Sequence, residues 1–254
     1  MKKLKRKMIK KMKKGIEAVI ISVDEPQLDR CIESVNNQIV KFNNVRHLNK
    51  VLPVAKAFNE AFSKSEYPYV LPVFGDVILK KDALATMLRY INGYKPQDKI
   101  YNFRFGVFDT FTHEFLKGMR VHRTKVSSLI PYSEEELRDD VIARDKAIEM
   151  GFKEHCFFYD KQVVIGTHFD RPSEKQVYVR FYIDGCKTRK TYTETGRMFD
   201  RTKQQLYCLS QAIPDPLYKV ALQAWDEGYK NFDYDFSHNY KIEQQIYKRY
   251  LESC

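Results

Sequence analysis

No run of about 18 apolar residues occurs in the sequence, so no segment reads as a helix able to span a bilayer. The five cysteines (Cys31, Cys156, Cys186, Cys208 and Cys254) are scattered, odd in number and without a C-x-x-C pair. That pattern argues against a disulfide framework and against a zinc site, and it fits reduced thiols in the cytoplasm. Neither G-x-G-x-x-G nor G-x-x-x-x-G-K-[ST] is present, which removes two common glycine-rich phosphate loops. Glycine and proline are scarce, at 10 and 9 of 254 residues, while Tyr and Phe number 17 each. A chain of that length and composition buries a full core, and disorder over most of it is excluded.

Acid is missing from one stretch. Residues 1–14 hold nine Lys or Arg and no Asp or Glu, and the other 240 residues carry 35 bases against 33 acids. The net charge of +11 therefore belongs to the tail and not to the body. As a helix the tail would set Leu4, Met8 and Met12 in a thin apolar stripe within a basic face. Such a segment suits peripheral contact with an anionic membrane or phosphate contacts to nucleic acid; a solvated basic extension fits the same composition.

Beyond the tail, short apolar runs alternate with amphipathic segments. Residues 18–23 read as a buried strand, residues 28–38 as a helix, and a short strand falls near Val45. Residues 54–63 form a helix with Ala55, Phe58, Ala61 and Phe62 on one side. The β-formers of residues 69–74 then stop at Gly75-Asp76, followed by a short apolar run and a helix over residues 82–91. Residues 100–108, 119–126, 156–166 and 176–183 are strand-like, and residues 133–150 read as a helix with Ser133 as N-cap and Gly151 as C-terminal cap. Helices follow over residues 198–212, 217–227 and 240–251. Strand–helix alternation of this kind predicts an α/β fold with a mixed, mainly parallel sheet flanked by helices. It divides into a basic tail (1–15), a catalytic-type body (16–190) and a helical C-terminal portion (191–254).

Asp76 is the most suggestive side chain. An apolar strand that ends in a carboxylate is a common way for an α/β sheet to present a catalytic or metal-binding acid, since ligands bind outside the carboxyl ends of strands. Gly75-Asp76 also fits a plain turn.

Five segments, in order, resemble the family 2 type glycosyltransferases with a GT-A fold. LDRCIESVNNQ after the first strand matches the family's opening helix. VAKAFNEAF places Asn59 at its usual Asn, and YVLPVFGDVILKKDAL resembles the strand carrying D-x-D. RDDVIARDKAIEMGF is similar to the helix opening with paired acids, and VVIGTHF sets His168 just after a strand. The likeness covers about residues 16–170. It implies a Rossmann-like GT-A domain that moves a sugar from a nucleotide-sugar donor to an acceptor hydroxyl with inversion. A hard divalent cation, Mn²⁺ or Mg²⁺, would stabilise the leaving diphosphate. Asp76 and His168 would be its ligands, and Asp140, with neighbour Asp139, the base that takes the acceptor proton. Asp24, Asn59 and Arg123 would lie at the donor. The acceptor stays open between a lipid-linked or polysaccharide precursor and a nucleic acid.

Each residue has a plainer reading. Asp139-Asp140, next to Glu134, Glu135 and Glu136, fits an acidic solvent face, and a single histidine is commonly a hydrogen-bonded loop residue. The chain also departs from the family pattern, because Phe74 stands where D-x-D has its first Asp. That departure sustains a second expectation: a non-catalytic GT-A-like module docking on an anionic surface through the tail.

Overall fold

The computed structural model describes residues 15–95, 98–133, 139–157, 163–195 and 201–231. The expected basic tail and the helix over residues 240–251 lie outside them. Eight strands form one mixed sheet. They are β1 (Ile16–Ser22), β2 (Asn44–Asn49), β3 (Tyr69–Phe74), β4 (Val77–Leu79), β5 (Ile100–Asp109), β6 (Glu114–Arg123), β7 (Lys153–Cys156) and β8 (Val164–His168). The order is β2-β1-β3-β6-β5-β8-β4, with β7 also beside β5. β1 runs parallel to β2 and β3, and β5 parallel to β7 and β8. β6 is antiparallel to β3 and β5, and β4 to β8. The sheet is therefore mixed and mainly parallel, as the alternation predicts.

The strands β1, β3 and β5 read as apolar runs because both faces are covered. One face packs on α1 (Leu28–Asn36) and α3 (Ala83–Ile91) through Cys31, Val35, Leu84 and Met87, against Ile20, Val73 and Phe105. The other face packs on α2 (Val54–Ser63) through Phe58 and Phe62, with Ala143 and Ala147 of α5 (Asp139–Glu149) in the same cluster. A single turn, α4 (Thr124–Ser127), closes β6. Gly151, at φ +80°, ends α5 as expected.

The third core is helical. α6 (Glu174–Thr195), α7 (Arg201–Ala212) and α8 (Leu217–Asn231) enclose Val177, Tyr178, Phe181, Leu206, Tyr218 and Trp225. Residues 176–183, expected to be a strand, lie inside α6. Their β-branched and aromatic composition favours a strand only weakly. The buried positions Val177, Tyr178, Phe181, Tyr182 and Cys186 follow the helical repeat, and packing on α8 decides the outcome. At the crossing the two backbones nearly touch. A Cβ on Gly185 would lie 2.2 Å from the Trp225 carbonyl oxygen, and one on Gly228 2.1 Å from that of Tyr182. Phe111 and Phe169, from the loops after β5 and β8, insert into this core, and Tyr218 donates to the Phe111 carbonyl at 2.8 Å. The helices thus hold the two loops that carry the site described next. Among the described residues no helix is long and apolar enough to cross a membrane.

Candidate active site

Strand register brings the central residues together. Val77 of β4 pairs with His168 of β8, and Asp109 of β5 pairs with the same His168 from the other side. Asp76 precedes Val77, and its carbonyl accepts from the Phe169 amide at 3.1 Å. The His168 ring therefore lies between two carboxylates. Nδ1 is 2.7 Å from Asp109 Oδ2, and Nε2 is 3.2 Å from Asp76 Oδ2.

Asp109 is fully buried and fully paired. Its Oδ1 accepts from the Thr112 amide at 2.7 Å and the Thr112 hydroxyl at 2.9 Å. Its Oδ2 meets both His168 and Arg180 Nη1, the latter at 2.8 Å. Burial alone would raise this carboxyl, but the His168 bond and the Arg180 charge outweigh it and hold the pKa at about 2. Burial likewise opposes charge on His168, yet its bonds to Asp109 and Asp76 raise it to about 9. Without a metal the ring is an imidazolium clamped between two acids. The Arg180 guanidinium is itself stacked on Phe169, 4.4 Å from the ring centroid.

Glu25, in the loop after β1, lines the same region. Its carboxylate accepts from the Val23 amide at 2.8 Å and rests against the backbone of Gly75, where a Cβ would come within 2.5 Å of Oε2. Glycine at 75 leaves that space open. Burial, then the nearby charges of Asp76 and Asp24, push the Glu25 carboxyl upward.

The other expected residues are dispersed. Asp24, at φ 67°, is exposed and pairs with Lys50 at the end of β1. Asp140 opens α5 and takes a bond from Arg120 Nη2 at 2.9 Å. Burial would raise it, but Arg120 draws it below the usual carboxylate range. Asp139 begins the same helix, and its side chain lies outside the described set. Asn59 bonds both ways to the backbone of Tyr132, at 3.0 and 2.8 Å, which ties α2 to the segment after α4. Arg123 pairs in register with Tyr69 at the start of β3 and donates to the Lys95 carbonyl. It sits at the opposite end of β3 from Asp76. The structure brings together Asp76 and His168, and it leaves Asn59 and Arg123 elsewhere.

Asp109 and Arg180 were missed from sequence. Asp109 carries the same signal as Asp76, an apolar strand ending in an acid; Arg180 fell in the misread strand. Among the described residues no three His, Cys, Asp or Glu side chains converge as metal ligands, so the donor set is a pair. Two donors bound to one small divalent ion at about 2.1 Å, near right angles, lie about 3 Å apart. The 3.2 Å between Asp76 Oδ2 and His168 Nε2 fits that spacing. So does Asp109 on the far nitrogen, where metal-binding histidines usually keep a carboxylate.

Fold and side chains together define an α/β protein with a carboxylate–histidine centre at the strand ends. No protein-family model matches the chain, and no curated protein matches it in sequence. Among solved structures it is similar to S. aureus TarS, with a TM-score of 0.48 and 11% identity, over 85% of this chain and 54% of that one. This chain thus spans about half of that protein's length. S. aureus TarS 1–349 in complex with UDP gives a TM-score of 0.46 and 11% identity, over 87% of this chain and 90% of the other. TarS 1–349 gives 0.40 and 12%, with the same coverage. Likenesses this distant carry no argument of their own, and function has to be read from the side chains.

Proposed function

We propose that this protein is a metal-dependent, inverting glycosyltransferase that uses a nucleotide-sugar donor. The observation that carries the reading is the Asp76–His168 pair, 3.2 Å apart at the strand ends, with Asp109 fixing the ring from behind. Asp76 and His168 would hold Mn²⁺ or Mg²⁺, which when bound acts as a Lewis acid on the leaving diphosphate. By accepting from Nδ1, Asp109 leaves the Nε2 lone pair facing Asp76, and Arg180 keeps Asp109 charged for that purpose. Asp24 and Glu25 line the nucleotide side at the end of β1.

Asp140 would accept the proton of the attacking acceptor hydroxyl, with Asp139 beside it. Arg120 keeps Asp140 ionised and oriented. That favours the charged form a base needs and lowers its proton affinity, so transfer occurs late, as the hydroxyl acquires bond to the sugar. One base and one displacement give inversion at the anomeric carbon. The acceptor class follows from the tail only: a lipid-linked or polysaccharide precursor at a membrane surface, or a nucleic acid.

A donor screen tests the reading: hydrolysis of UDP-, GDP-, CMP- and TDP-sugars with Mn²⁺, comparing wild type, Asp76→Ala and Asp140→Ala. Slow hydrolysis of one donor that Asp76→Ala abolishes is the expected result. Absence of turnover together with absence of any nucleotide or metal binding would leave a non-catalytic module instead.

A further inference from the structure

Gln27 stands at the N-cap position of α1, where Ser, Thr, Asp or Asn usually serve the helix's own amides. Its side chain makes no such bond, and the residue is only 3% exposed. It reaches across to the segment after β8 instead. Nε2 donates to the Asp170 carbonyl at 2.7 Å and to the Arg171 carbonyl at 3.1 Å, while Oε1 accepts from Gln176 Nε2 at 3.2 Å. Gln176 is fixed in turn, its Oε1 accepting from the Ser173 amide at 3.0 Å just before α6. Each amide nitrogen meets acceptors and each amide oxygen meets donors, so the pair has one satisfied orientation.

The turn held in this way is the one that follows His168. Phe169 and Arg171 both adopt left-handed backbone, at φ 60° and 51°. That conformation is unfavourable for bulky residues and persists only where the surroundings impose it. The first half of the turn is tied to the strands. Thr110 donates from its amide to the His168 carbonyl at 3.0 Å and from its hydroxyl to the Phe169 carbonyl at 3.0 Å, and the Phe169 amide donates to the Asp76 carbonyl. The next two carbonyls both go to Gln27. The Arg30–Asp170 ion pair beside them has an exposed arginine, and such pairs hold little.

We propose that Gln27 is a positioning residue for His168: by holding the Asp170 and Arg171 carbonyls it keeps the left-handed turn formed and the imidazole 3.2 Å from Asp76. This rests on the metal-binding reading of that pair. An amide suits the role, since one nitrogen supplies two hydrogens to two carbonyls while the oxygen takes the brace from α6. A methionine of similar shape would fill the same space and supply neither hydrogen. Two carbonyls left without donors then favour release of the turn, and His168 gains freedom that metal binding has to remove.

The test is calorimetric titration of Mn²⁺ and Mg²⁺ into wild type, Gln27→Met and Gln176→Met, with amide hydrogen exchange on the same proteins free of metal. Gln27→Met should bind Mn²⁺ roughly tenfold or more weakly. It should exchange the Phe169 amide faster and leave the amides of the β1–β3 pairing at their wild-type rates. Gln176→Met keeps both carbonyl bonds and loses the brace, so it should show both effects in smaller measure. Unchanged Mn²⁺ affinity in Gln27→Met would overturn the proposal. So would exchange that speeds up as much in the β1–β3 pairing as at Phe169, the mark of a general loss of stability. Where Gln27→Met does not fold, wild-type affinity in Gln176→Met overturns it too. Each of these leaves the glycosyltransferase reading intact. A wild type that binds neither cation would remove the metal reading and this proposal together.

Discussion

His122 should make the protein sensitive to mild acid well before its carboxylates titrate. The side chain is 1% exposed. Its ring centroid lies 4.7 Å from that of Phe62, its Nδ1 is 3.2 Å from the Ser127 hydroxyl, and the Arg120 charge is nearby. Burial first, then Arg120, lower its pKa from 6.5 to about 3. In the unfolded chain the ring titrates at its ordinary value, so between these two limits the unfolded state binds the extra proton. Stability must then fall as pH drops through 6.5, by up to about 1.4 kcal/mol per pH unit. From pH 7 to pH 4.5 the loss comes to ~2–3 kcal/mol, a large share of the 5–15 kcal/mol typical of a domain. Urea unfolding at half-unit steps over that range measures it. His122→Asn keeps a polar atom near the Nδ1 position and removes the titration; it should be less stable at pH 7 but show a flatter acid limb. Parallel pH profiles for the two proteins would refute the reasoning, because the remaining acid sensitivity would then come from other groups.

His168 predicts the opposite limb. In metal-free protein its folded-state pKa of about 9 lies above the ordinary value near 6.5. The stabilisation is complete below pH 6.5 and is lost as pH rises through 9, by up to ~3 kcal/mol; unfolding with a chelator at pH 7 and pH 9.5 should show this, and His168→Gln should flatten it. At the α6–α8 crossing, Gly228→Ala puts a Cβ against the Tyr182 carbonyl, a contact only helix displacement relieves, so a loss of ~1–3 kcal/mol is expected. Trp225, the sole tryptophan and buried at that crossing, should report it as a red shift in emission.

Much of the fold is written in local pattern. The helix read over residues 54–63 is α2 with the same bounds, because a clear apolar face and well-placed polar residues leave no competing period. Asp76 and His168 were each legible as residues at strand ends. That they meet was not, since it depends on β4 and β8, far apart in the chain, pairing antiparallel with Val77 opposite His168. Asn59 illustrates the converse: its motif position suggests a donor contact, whereas the structure gives both ends of its amide to the Tyr132 backbone. Arg120, within the strand-like residues 119–126, does lie in β6, but its hold on Asp140 joins two segments 20 residues apart that no local pattern connects.

The most consequential misreading concerns residues 176–183, because the period assigned to a segment decides which of its side chains share a surface. In a strand, side chains alternate, so Val177 and Phe181 would point to one face and Tyr178 and Tyr182 to the other. In a helix all four join the one core that packs on α8. The apolar residues Val177, Tyr178, Phe181 and Tyr182 are equally compatible with either period by type, and within eight residues neither repeat is decisive. What tips the balance lies far outside the segment: Gly228, which allows α8 to approach Gly185 closely enough to bury Trp225. A glycine with no local conformational role thus lets the two helices meet, and the helix so placed sets Arg180 against Asp109. If that crossing is loosened by Gly228→Ala, Arg180 should lose its hold on Asp109, and Mn²⁺ binding measured by calorimetry should weaken even though no residue of the Asp76–His168 pair has changed.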